Sequence, residues 1–115
     1  MDADRIGVTL TDQNFRAIVL ESEQPVLVAF WAEGCGPWHV LAPEIAALAE
    51  AFRGQVTVAT LDVEAQLQTP KRYGIHTLPT LLFFKDGQVV DQLIGVADRA
   101  DITAKLHALM RTSQA

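Results

Sequence analysis

The chain has 115 residues, half of them hydrophobic, a formal charge of −5 and a single cysteine. That length and apolar content suit one domain spanning 1–115 that buries its own core, and one thiol leaves no partner for an internal disulfide. The acidic balance, with no cluster of Lys or Arg, gives no electrostatic footprint for nucleic acid or an anionic membrane.

In chain order, Met1-Asp2-Ala3-Asp4-Arg5 has no basic stretch followed by an apolar run, so no export signal is expected. No apolar segment reaches the roughly 20 residues that span a bilayer, and a lone cysteine agrees with a reducing compartment; the expectation is a cytoplasmic monomer. Ile6 to Leu10 is a short strand candidate, and Thr11 with Asp12 can cap a helix carrying Phe15, Ile18 and Val19. Val26 to Trp31 is continuously apolar, as a strand covered on both faces reads. From Pro37 to Phe52, Leu41, Ile45, Leu48 and Phe52 lay an apolar stripe on a long helix, in which Pro43 predicts a kink. Val56 to Asp62 predicts a second buried strand, and Glu64 to Tyr73 a short polar helix or irregular crossover. Thr80 to Phe84 and Gln88 to Ile94 flank Asp86-Gly87, a hairpin signal. Asp98 suits the N-cap of a last helix with Ile102, Leu106, Leu109 and Met110 on its apolar face. The predicted order is β-α-β-α-β-(α)-β-β-α, an α/β domain with a mixed sheet.

Cys35 falls between the apolar strand and the long helix, in Phe30-Trp31-Ala32-Glu33-Gly34-Cys35-Gly36-Pro37-Trp38. Unpaired backbone N–H groups and the positive end of the macrodipole at a helix start favour thiolate over thiol. Gly36 admits a partner's backbone closely, and Pro37 suits the first turn because its missing N–H has no partner there. The competing reading of a free cysteine is a small buried hydrophobe. Cys35 is the candidate reactive residue.

This run, with Ala42-Pro43, Tyr73-Gly74-Ile75, Leu78-Pro79-Thr80, Phe84-Lys85-Asp86-Gly87 and Gly95, resembles the thioredoxin family from about Thr9 to Leu109. The resemblance implies the thioredoxin fold, a cis Leu78-Pro79 bond, and a groove for protein substrates formed by Gly36, Pro37, Trp38, Leu78, Pro79, Gly95 and Val96. Four departures accompany it. Trp38 stands where the family has its resolving cysteine, Ala29 where it keeps a buried aspartate, Thr60 where a lysine partners that aspartate, and Gly34 where a tryptophan is common. A buried carboxylate that moves protons for the resolving sulfur has no task once that sulfur is gone, and unpaired it only destabilises the core. The two-thiol cycle is closed to this chain, which is not expected to be an efficient dithiol disulfide reductase.

Trp38 has two readings: it shields the sulfur and forms an apolar platform for a partner, or it fills the space left by Gly34. His39, four residues after Cys35, could modulate the thiolate, or it is a surface residue at a position where the family has an exposed lysine. His76 and His107 read as surface residues, and the spacing of the histidines and the cysteine suits no metal.

The functions that follow are a monothiol exchange protein, released from its mixed disulfide by glutathione or by a partner's second cysteine, and a redox-inactive adaptor or chaperone using the same groove. A cluster shared by two chains through Cys35 and glutathione is the weakest, because Gly36-Pro37-Trp38 does not resemble the motif of monothiol glutaredoxins.

Overall fold

The computed structural model describes residues 6–111. A sheet of five strands, β1 (Val8–Thr9), β2 (Val26–Trp31), β3 (Thr57–Asp62), β4 (Thr80–Lys85) and β5 (Gln88–Ile94), has the order β1-β3-β2-β4-β5. The β1, β3 and β2 pairings are parallel; β4 runs antiparallel to β2, and β5 antiparallel to β4 with an irregularity at Phe83/Phe84. The helices are α1 (Gly36–Ala51), α2 (Gln68–Arg72) and α3 (Arg99–Arg111), with a π-helical segment at Arg16–Leu20.

β2 is buried at every position because both faces of the sheet are covered. Successive side chains alternate between faces. Leu27, Ala29 and Trp31 join the cluster under α1 and α3, while Val26, Val28 and Phe30 join the one containing Phe15 and Val19. The expected α1 stripe is buried throughout at Leu41, Ile45, Leu48 and Phe52, and α1 continues through Pro43. Asp86 and Gly87 both have positive φ, the requirement of a tight hairpin turn whose twist matches its strands. Asp98 stands directly before α3, its carbonyl accepting the Ile102 N–H.

The first strand is shorter than expected, with Ile6 and Leu10 buried outside it. Gly7 permits that close approach: its φ is +60°, and a Cβ there would lie 2.1 Å from the Val58 carbonyl oxygen. The expected cap at Thr11 and Asp12 divides between two helices. Thr11 and Asn14 exchange side-chain-to-backbone hydrogen bonds at the start of the π-helical region. Asp12 instead reaches α2, its carboxylate accepting the N–H of Gln68 and both the N–H and the hydroxyl of Thr69. Desolvation pushes its pKa up, but the hydrogen bonds from Thr69, Gln68 and Leu67 outweigh this and hold it below the ordinary aspartate value.

Candidate functional site

Cys35 is the N-cap of α1, extended at φ −87° and ψ 102°, with no hydrogen bond from its side chain to the helix. Its N–H donates to the Ala32 carbonyl at 3.0 Å, and its carbonyl accepts the Trp38 N–H at 3.1 Å. Gly36 and Pro37 are exposed, whereas the half-buried Cys35 packs against the cluster beneath α1. The sulfur therefore sits between solvent and core at a helix start whose first N–H groups have no helical partner.

The sheet register brings the other groove residues to the same end. β2 finishes at Trp31 and β4 begins at Thr80, which lies opposite both Phe30 and Ile94. Leu78 and Pro79 just before β4, and Gly95 and Val96 just after β5, thus reach the edge from which the Cys35 loop departs. The Leu78–Pro79 bond is cis, and the Gly95 N–H donates to the Pro79 carbonyl at 2.8 Å. Pro79 is buried, Leu78 half-buried, and Val96 and Ile94 are 53% and 57% exposed.

Trp38 does not belong to the groove surface. It is 0% exposed and stacks on Trp31, with ring centroids 5.7 Å apart at 20°. Nor does it fill space vacated at Gly34, because a Cβ there would meet no atom within 4 Å and points into the open. The reason is helical period: residue 38 is three before Leu41 and seven before Ile45, so the buried stripe starts there. Strand alternation gives the matching signal for Trp31, which faces the same side as Ala29.

Ala29 and Thr60 are register partners in the β2–β3 ladder, both buried. Among the described residues, the Thr60 hydroxyl and the indole N–H groups of Trp31 and Trp38 are buried without hydrogen-bond partners. The Nε2–H of the exposed His39 donates to the Glu33 carbonyl at 2.7 Å, bracing the loop before Cys35. His76 and His107 are exposed, the latter with its ring 5.5 Å from Phe52. Among the described residues, no three or more of His, Cys, Asp and Glu are grouped to hold a metal, and no helix is long and apolar enough to cross a membrane.

A family model for thioredoxin matches residues 7–108. The chain is 43% identical over 104 residues to thioredoxin of Alicyclobacillus acidocaldarius, covering 90% of this chain and 98% of that protein. It is 43% identical over 97 residues to thioredoxin C-2 of Corynebacterium nephridii, covering 84% and 90%. With thioredoxin 2 of Chlorobaculum tepidum the identity is 44% over 96 residues, covering 84% and 88%. The chain belongs to the thioredoxin family. With its cysteine at the start of α1 it is a thioredoxin-like thiol–disulfide protein.

Proposed function

We propose that the protein is a monothiol exchange protein acting on protein disulfides. The Cys35 thiolate attacks one sulfur of a substrate disulfide; that S–S bond breaks, the other substrate sulfur leaves as a thiolate, and a mixed disulfide forms. A second thiolate then attacks the mixed disulfide and releases Cys35 in its starting state, so Cys35 itself stores no electron pair. That thiolate belongs to glutathione or to a further cysteine of the substrate. The observation carrying this reading is one half-buried sulfur at the start of α1, at the end of the sheet that also carries Pro79 and Gly95, in a chain with no other cysteine. Gly36, Pro37, Leu78, Gly95 and Val96 supply the contact surface, His39 steadies the loop, and the setting is the cytoplasm, with the protein a single-domain monomer that needs no resident cofactor.

The test is covalent capture from cells under non-reducing conditions, with the native chain and with Cys35→Ser. The expected result is a set of disulfide-linked complexes in the native lane that vanish in the variant and on reduction. An empty native lane overturns the exchange reading. The exposed Val96 and Ile94 at the groove favour one second reading, an adaptor that binds without exchange. In that case Cys35→Ser leaves partner binding and cellular phenotype intact.

A further inference from the structure

β1, β3 and β2 end side by side. After β2 the chain crosses one face of the sheet as α1, and after β3 it passes through α2 to Tyr73 and Ile75, which pack on the other face. In open α/β sheets such divergence leaves a crevice beyond the carboxyl ends of the strands, where ligands bind. Here it is a cleft of about 200 Å³ whose lining includes Thr9, Thr11, Trp31, Thr60, Asp62 and Gln66.

The composition of that wall selects a ligand. Trp31 and Thr60 are 5% and 1% exposed, and neither the indole N–H nor the hydroxyl has a partner. Buried polar groups in folded proteins are nearly always hydrogen-bonded, so an orphaned donor beside a cleft marks where an acceptor belongs. Trp31 and Thr60 both line the cleft, so each unpartnered donor belongs to a residue of its wall. Asp62 has one carboxylate oxygen on the Glu64 N–H and keeps the other, and the Gln66 side-chain oxygen is already taken by the Asp12 N–H. Among the described residues lining the cleft there is no lysine or arginine. An anion therefore meets Asp62 with no compensating charge, whereas a cation is attracted to it.

We propose that this cleft is a second binding site, taking a ligand that presents an ammonium group beside an uncharged carbonyl, the chemistry of the amino end of a polypeptide or of a small amino amide. The ammonium pairs with Asp62, and the carbonyl accepts from the Trp31 indole N–H and the Thr60 hydroxyl. The site uses none of the thiol chemistry of Cys35 and stands apart from the exchange reading.

The test is an NMR titration of the full-length chain with glycinamide, following the indole N–H resonances. The expected result is a saturable movement of the Trp31 indole resonance with millimolar affinity, as suits so small a ligand. Acetamide and N-acetylglycinamide, which lack the ammonium, bind at least about tenfold more weakly, and Asp62→Asn weakens glycinamide to a similar degree. Thr60→Val also weakens it, and Cys35→Ser leaves it unchanged. A short peptide with a free amino end, compared with its acetylated form, separates a polypeptide source from a small amine. A Trp31 resonance that stays in place, an equal response to acetamide, or an affinity untouched by both Asp62→Asn and Thr60→Val overturns the proposal.

Discussion

Replacing Trp38 with alanine separates a core role from a surface role. The side chain is 0% exposed and stacked on Trp31 at 5.7 Å. Truncating a buried aromatic to alanine costs about 3–5 kcal/mol, and an offset stack adds about 0.5–1.5 kcal/mol to area burial. Removing an indole N–H that has no partner offsets about 1 kcal/mol of this. The net loss is about 4 kcal/mol, a large share of the roughly 5–15 kcal/mol by which ordinary domains are stable. Urea denaturation followed by far-UV circular dichroism reads it. With a slope of about 2 kcal/mol per molar, the midpoint falls by about 2 M. Trp38→Phe keeps the stack and most of the volume and retains more than half of the lost stability. A loss below about 1 kcal/mol for Trp38→Ala is the behaviour of a surface residue and refutes the reasoning.

Thr60→Val removes a buried hydroxyl without a partner and keeps the shape, so the unliganded protein gains about 1 kcal/mol in chemical denaturation; a loss shows that the hydroxyl is satisfied. Asp12→Asn weakens the cap on α2, lowering stability by about 1 kcal/mol at neutral pH. Because the Asp12 pKa is depressed on folding, its contribution is complete above the unfolded value of about 3.9 and is lost as pH falls through the lower folded value. The native protein and Asp12→Asn therefore converge in stability on acidification, and a gap that persists at low pH contradicts the assignment. Gly7→Ala combines a positive φ with a Cβ placed 2.1 Å from the Val58 oxygen, and is expected to cost at least about 2 kcal/mol in thermal or urea unfolding. A neutral Gly7→Ala shows that β1 and β3 can move apart.

What was legible in the sequence was what local periodicity controls. The unbroken Val26–Trp31 run, the α1 stripe and the Asp86-Gly87 turn each encode their structure within a few residues, and the observed elements follow them closely. Cys35 at a helix start could be read the same way, from one strand ending and one helix beginning. Asp12 could not, because its partner Thr69 is 57 positions away and nothing local to Thr11-Asp12 announces α2. Trp38 resists a local reading for a different reason. A stripe counted from Leu41 onward omits the preceding turn, and a tryptophan next to a reactive cysteine invites a surface reading that the inward face of α1 does not allow. The unpartnered donors at Thr60, Trp31 and Trp38 emerge only when strand register and helix packing place them in the same interior.

The stacked indoles have a practical corollary. Trp31 and Trp38 are the chain's complement of tryptophan, so fluorescence excited to the red of tyrosine absorption originates from a single stacked pair in the cluster against which Cys35 packs. Adduct formation, misfolding or a bound guest near that end of the sheet will each perturb the same chromophore, giving the protein an intrinsic optical reporter that requires no dye.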